Sequence, residues 1–330
     1  SLDRIFHLYP ITTTDVPVAV ISGITMQNGC ADTGGAIKNE SGDLTILNST
    51  LQNNTSISGN PVFFGGGAIY NTGLLLLDNA TIRLNTAILE GGGIFIHDGA
   101  SLNINNSLID NNTTTTRSGG GIYINAGTLN IDNTTISYNT APGSGTGGTG
   151  GGILNQGGLI ITNSTINNNS SRLGGGISTA GDVGLEGQFK LEIRNSTLSD
   201  NSDSSLRAGG ININKPTELT DVTITNTVAT GAAIYINPFN TNSTYTNTLT
   251  IKNTLLANVT GNNCGTDISQ PEDLSKIISN GYNLSDDSSC TDTIGIPIGL
   301  TDPTDQNSAT NPDLVALASN GGPTKTHALN

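Results

Sequence analysis

The chain has 330 residues with 43 Gly, 42 Asn and a similar abundance of Thr, while charged residues reach only 12%; so high a content of poor helix formers excludes a helical protein. With no Trp, one Met and 34% hydrophobic residues, the core has to be thin and built from Ile, Leu and Val. A net charge of −14 on twelve basic residues leaves no cationic stripe for nucleic acid or anionic lipid, and no apolar run approaches the roughly 18 residues that span a bilayer.

Residues 1 to about 20, with Ile5-Phe6-His7-Leu8 and Val18-Ala-Val20-Ile21, read as incomplete starting turns of a repeat. Ser1-Leu-Asp-Arg4 carries no signal-peptide pattern, so any signal or anchor is expected to be absent from this segment. The repeat itself is anchored on the apolar residue that ends the string Asn-Ser-Thr-Ile/Leu. Anchors fall at Leu51, Ile82, Ile109, Ile136, Ile166, Leu198, Ile224 and Leu256, spaced by 31, 27, 27, 30, 32, 26 and 32 residues. Ile24 extends the series backwards and Leu284 forwards, giving about ten turns.

Ahead of each anchor the pattern alternates, as in Leu44-Thr-Ile46, Leu102-Asn-Ile104 and Leu249-Thr-Ile251, which places Leu and Ile on the inner face of a short strand. Three residues before the anchors stand Asn48, Asn79, Asn106, Asn133, Asn163 and Asn195, and three after stand Asn54, Asn85, Asn112, Asn139, Asn169 and Asn201. Identical amides at one position of every turn can hydrogen-bond their neighbours about 4.8 Å above and below, so both rows are expected to be Asn ladders. A further strand starts at each glycine run, among them Gly34-Gly-Ala-Ile37, Gly66-Gly-Ala-Ile69, Gly92-Gly-Ile94, Gly120-Gly-Ile122 and Gly151-Gly-Ile153. Three short strands and three corners per turn make an all-β chain, a right-handed parallel β-helix, with Thr140 to Thr149, Gly181 to Gln188 and Pro238 to Tyr245 as outer loops.

The residue after each glycine-run Ile gives an outward row that includes Tyr70, Phe95, Tyr123, Leu154 and Tyr235. On four consecutive turns this predicts a continuous apolar stripe that stacks on sugar rings or docks a neighbouring subunit; the alternative is an aromatic stack under a covering loop. A Thr row at Thr50, Thr81, Thr135, Thr165, Thr197 and Thr223 is broken by Leu108 and Leu255. Sequons at Asn48, Asn79, Asn133, Asn163 and Asn195 fall on a ladder expected to face inward, which leaves Asn112 and Asn242 as the better glycan acceptors.

The solenoid with its starting turns is assigned to residues 1–260, and residues 261–330 to the last turn and a closing segment. Cys264 and Cys290 lie 26 positions apart while Cys30 is remote, so the reading is one disulfide, Cys264–Cys290, and one leftover thiol; three reduced cysteines is the alternative.

The combined repeat resembles the bacterial right-handed β-helix surface proteins, and its Gly-Gly-Ala-Ile elements at Gly34 to Ile37 and Gly66 to Ile69 resemble those of chlamydial polymorphic membrane proteins; their companion Phe-x-x-Asn element is Ile/Leu-x-x-Asn here. In the closing region, Cys264, Gly281-Tyr-Asn-Leu284, Cys290, Asn311-Pro-Asp-Leu314 and Asn320 to Leu329 are similar to the end of choice-of-anchor Q domain proteins. The resemblance implies a secreted or surface-attached protein and no catalytic residues.

Polysaccharide lyases and hydrolases on this architecture need carboxylates on adjacent turns or an Asp cluster for Ca²⁺. Four residues before the anchors only Asp78 and Asp132 are acidic, two turns apart with Asn105 between them, and the bland reading is two solvated strand residues. His7, His97 and His327 occupy unrelated repeat positions. Asp286, Asp287, Asp302 and Asp305 offer Ca²⁺ at most a weak site, and no metal or other cofactor is expected. The expectation is therefore a non-catalytic extracellular or cell-surface rod, structural or adhesive, partnered by copies of itself head to tail or laterally, or by cell-surface glycans. A carbohydrate-active enzyme or glycan-binding module is the alternative.

Overall fold

A computed structural model describes residues 3–12, 14–59, 65–143, 147–180, 190–205, 207–237, 247–257, 260–266, 276–290, 299–308, 312, 314–322 and 324–328. The regular elements in them are all β-strands, stacked in parallel register into two sheets of 17 and 18 strands. One turn shows the plan. Leu74–Asp78 and Thr81–Arg83 form two sides, and the third is broken by the glycine run into Thr86–Ala87 and Ile94–Ile96 before Ser101–Asn105 begins the next turn. Eight full turns run from Val18 to Asn237, and rungs at Thr248–Lys252 and Lys276–Ser279 follow; the sequence count of about ten included these closing rungs. Of the expected outer loops, Gly181 to Gln188, Pro238 to Tyr245 and the middle of Thr140 to Thr149 lie outside the described residues.

Alternation explains the core. Leu75, Leu77, Ile82 and Ile94 point inward on successive sides of one turn and pair with Leu102, Ile104, Ile109 and Ile122 of the next, all buried. Each turn thus hides its apolar face only against its neighbours, the energetics of a one-dimensional stack.

Two anchors are corrected. Leu51 pairs with Met26, not Ile24, because Gly23 at φ 69° holds the corner that Asn48 holds one turn later, and Ile24 is left 47% exposed. At the other end Leu256 pairs with Ser285, so Leu284 falls one position outside the anchor column.

The second corner of each turn is held in the left-handed region by Asn53, Leu84, Asn111, Tyr138, Asn168 and Asp200, with φ between 52° and 55°. Asn fits that conformation, whereas a bulky side chain is strained by about 1–2 kcal/mol. Tyr138 is 53% exposed, so Tyr138→Asn is expected to stabilise the chain by about 1 kcal/mol, seen as a higher urea midpoint. An unchanged or lower midpoint would show that the tyrosine ring contributes packing that offsets its backbone strain.

The ends differ. At the start, Phe6–Leu8, Val18–Ser22 and Thr25–Gln27 each pair on one side only among the described residues. Seven of the thirteen exposed large hydrophobics of the described residues lie there, among them Ile11, Val18 and Val20, so this end is an open apolar rung. At the finish, residues 299–308 lie over the last rung through Gly299 and Gln306, and Cys264 is bonded to Cys290 with Cα atoms 5.1 Å apart, while Cys30 is unbonded. The closing segment then does something its position in sequence does not suggest. Residues 315–322 and 324–328 form the two arms of a narrow hairpin, Ala318 pairing with Thr326, that runs back along the side of the solenoid.

Candidate functional site

The three polar residues of the Asn-Ser-Thr string do three different jobs, and together they shape the outer surface. The asparagine is the corner: Asn48, Asn79, Asn106, Asn133, Asn163 and Asn195 have φ between 45° and 51°. Their amides chain along the outside, Asn79 Nδ2 donating to Asn48 Oδ1 at 2.7 Å, Asn133 to Asn106 at 2.5 Å and Asn195 to Asn163 at 2.7 Å. This row is a ladder, but it is exposed or half-buried and not inward-facing. The serine or threonine that follows is buried and forms a hydroxyl ladder the sequence reading missed: Ala80 N donates to Ser107 Oγ, Ser107 N to Thr134 Oγ1, Thr134 N to Ser164 Oγ and Ser164 N to Ser196 Oγ. Its signal was present in the small hydroxyl residue recurring between Asn and Thr. The final threonine faces out.

The second Asn row is the inward one. Asn54, Asn85, Asn112, Asn139, Asn169 and Asn201 have no exposed surface. Each Oδ1 beyond the first turn accepts both the backbone N–H and the side-chain amide of the preceding turn's Asn, as Asn139 Oδ1 does from Asn112 at 2.9 and 3.0 Å. Asn112 therefore cannot serve as the glycan acceptor expected of it, because its amide is locked in the core; Asn242 lies outside the described residues.

The aromatic row is in register and stacked, Tyr70 on Phe95 at 5.5 Å and Phe95 on Tyr123 at 5.2 Å between ring centroids. It is not an open apolar stripe. Phe95 is 0% exposed, and Leu154 and Tyr235 are buried as well, so an exposed strip for sugar stacking is corrected to a largely covered stack. The Tyr123 hydroxyl donates to Gln156 Oε1 at 2.6 Å, and burial pushes its pKa up; Tyr70, partly buried, is pushed up to about 12. Lys38 lies over the Tyr70 ring and Arg207 over that of Tyr235.

Beside the stack, Glu90 and Arg117 sit 27 residues apart at the same place in consecutive turns and pair at 2.9 Å. Glu90 is buried, its Oε2 accepts no hydrogen bond among the described residues, and desolvation holds its carboxyl above the ordinary range despite the opposing pull of Arg117. A carboxyl raised on folding binds its proton more tightly in the native state, so its contribution falls as pH rises from the unfolded value through the folded one. Arg117→Ala removes the compensating charge, and a loss of about 2 kcal/mol is expected at pH 7, with a much smaller loss at pH 4 where Glu90 is protonated. Urea unfolding at both pH values tests this; equal losses would show that Arg117 acts only through packing.

The acidic residues of the outer rows are hydrogen-bond acceptors. Asp78 Oδ1 accepts from Asn106 at 2.8 Å, and Asp132 Oδ1 accepts from Thr162 at 2.6 Å and Asn163 at 2.7 Å. Asp287 accepts from Asn263 N and Ser289, and Asp302 from Thr304. Among the described residues no three His, Cys, Asp or Glu side chains are grouped as metal ligands.

The hairpin docks on the Thr row. Thr165 Oγ1 donates to Lys325 O at 2.6 Å, Thr324 Oγ1 to Asn163 O at 3.2 Å, and Ser199 Oγ meets His327 Nε2 at 2.9 Å. His327 Nδ1 lies 2.7 Å from Val315 O, and since a carbonyl only accepts, that nitrogen carries the proton. Where Thr324 meets the solenoid, a groove of about 380 Å³ opens along the outer corner of three turns, lined by Asn79, Thr81, Asn106, Leu108, Asn133 and Thr135. The sequence pattern marked these turns only by Leu108, where the Thr row is broken.

A family model described as a right-handed beta helix region matches residues 69–270, in agreement with the hand expected for parallel crossovers. No curated protein and no solved structure matches the chain.

Proposed function

This chain belongs to the right-handed β-helix family, and from that premise we propose that it is a non-catalytic extracellular rod, structural or adhesive, that works by projecting from a surface and associating with copies of itself. The observation that carries the reading is the use made of the polar side chains. The inner amides, the buried hydroxyls and the outer Asn row, with Asp78 and Asp132 drawn into it, are spent on holding one turn to the next. That is how a stiff stack is built, and it leaves those carboxylates engaged with amides instead of facing each other across a cleft. The rung at Val18–Ser22 supports self-association, because among the described residues its outer edge is unpaired and can accept another strand, and Val18 and Val20 add exposed apolar surface on its outer face. The Cys264–Cys290 bond supports an oxidising, extracellular setting, and the resemblance of the closing region to choice-of-anchor Q domain proteins points the same way.

Electron microscopy and size-exclusion chromatography at two concentrations test this, with Val18→Lys/Val20→Lys as the comparison. Filaments or end-joined particles that revert to single rods in the double variant are expected. Single rods at every concentration in the unaltered protein would sink self-association. A glycan-binding or carbohydrate-active role on the same fold is the second reading, favoured by the groove at Asn79 to Thr135.

A further inference from the structure

We propose that the groove along Asn79, Asn106 and Asn133 is a binding site for a neutral oligosaccharide. The proposal rests on the surface role argued above but moves ligand recognition away from the aromatic stack, which is largely covered.

The lining is made of amides, hydroxyls and two apolar side chains, Ala80 and Leu108, and holds no charged group. Two donors and acceptors in it have defined needs. Asn133 Oδ1 is buried and accepts no hydrogen bond among the described residues, although its own Nδ2 donates to Asn106. A buried acceptor without a donor is costly, and a small turn of the Asn133 amide toward the groove would let a ligand hydroxyl satisfy it. Thr135 stands in register with Thr165, whose hydroxyl already donates to an oxygen lying over the row, Lys325 O. Thr135, and Thr81 two turns further on, therefore present the same donor along the groove that Thr324 closes at one end. A ligand that both gives a hydroxyl proton and accepts one within a turn spacing of about 4.8 Å matches a sugar ring, and successive turns would meet successive rings of an extended chain. Leu108, where the Thr row is broken, offers the apolar face of a ring a contact.

Charge selects the class further. On the strands that flank the groove Asp78, Asp110 and Asp132 outnumber Arg83, and the chain carries a net charge of −14, so a uronate or sulfated polymer would be repelled. An added peptide strand is disfavoured too. The strand backbones at Thr81–Arg83, Leu108–Asp110 and Thr135–Ser137 are paired on both sides, so the groove is a face and not a sheet edge.

The test is titration of the ¹⁵N-labelled full chain with cellohexaose, mannohexaose and chitohexaose, with hexagalacturonate and a synthetic peptide of residues 314–328 as the contrasting probes. At least one neutral hexasaccharide should shift the resonances of Asn106, Asn133 and Thr135 in a saturable way, and hexagalacturonate should not. Asn133→Gly, which keeps the left-handed corner, and Thr135→Val should each weaken that binding at least tenfold, whereas Tyr70→Ala should leave it unchanged. Mapping on the unaltered protein keeps the test valid if a variant fails to fold. Absence of shifts at the groove with all three neutral sugars, binding of hexagalacturonate or the peptide there instead, or loss of sugar binding in Tyr70→Ala would overturn the proposal. None of these outcomes touches the assembly reading, which the microscopy decides separately.

Discussion

Alanine at position 120 is expected to cost about 3 kcal/mol, while alanine at position 121 costs about 1 kcal/mol. Both glycines belong to the same run and both are buried, so composition gives no reason for a difference. The geometry does. A Cβ on Gly120 would lie 2.5 Å from Gly151 O and 2.6 Å from the backbone carbon and nitrogen of Thr140, so two neighbouring strands would have to move. At Gly121 a Cβ would lie 2.7 Å from Gly152 O and 3.1 to 3.2 Å from the Asn139 amide, so one backbone carbonyl has to shift where Gly120 would press on two strands. The chain has made the second substitution itself. The third place of the run holds Ala36 and Ala68 in the first two runs, fully buried, whereas the middle place holds Gly35, Gly67, Gly92, Gly120, Gly151 and Gly175 and becomes alanine, at Ala232, in a strand whose register shifts. Urea unfolding followed by circular dichroism would measure both variants, and equal losses would mean that the backbone of the stack yields more easily than its close packing implies.

Asn139→Ala should be costlier still, about 4 kcal/mol. Asn139 Oδ1 serves the backbone N–H and the amide of Asn112, and its Nδ2 serves Ile109 O at 2.9 Å and Asn169 Oδ1 at 3.0 Å. Truncation leaves two donors and a backbone carbonyl unpaired where no water reaches, each worth roughly 1–3 kcal/mol. The contrast is Asn106→Gly on the outer row, where glycine keeps φ near 50° and solvent replaces the lost amide, so a change within about 1 kcal/mol is expected. Because turns stabilise only their neighbours, hydrogen exchange should show the Asn139 lesion concentrated in the adjacent turns. A uniform loss of protection from Val18 to Asn237 would argue that the stack unfolds as one unit.

Much of the fold was legible in advance because a stacked coil writes its period into the chain. Ile69, Ile94 and Ile122 pair one above another, as do Leu75, Leu102 and Leu129, in the columns the alternation predicts. The end turns were misjudged where that writing changes: Gly23 stands in for the corner Asn, which put Ile24 in the anchor column in place of Met26, and Tyr282 at φ 60° holds the last corner. The groove was not legible. It depends on Thr324, brought to Asn163 across 161 residues by a hairpin that belongs to no repeat.

By itself, then, the sequence determined the solenoid: its period, its strand faces, its Ile and Leu columns and the positions where every turn carries Asn, Gly or a small hydroxyl. Only the tertiary structure decided which amide row is the core. Asn48 and Asn54 look alike in the repeat, yet one occupies the left-handed corner and swings outward, while the other follows the corner residue Asn53 and turns in. The same holds for the aromatic row, outward by alternation but buried at Phe95, and for the Thr row, covered at Thr165 and Thr197 and open at Thr81 and Thr135. The physical reason is common to all three. Periodicity constrains a residue's relation to its own strand and to the turns above and below, whereas exposure depends on corner geometry and on what packs from outside, and neither recurs with the repeat.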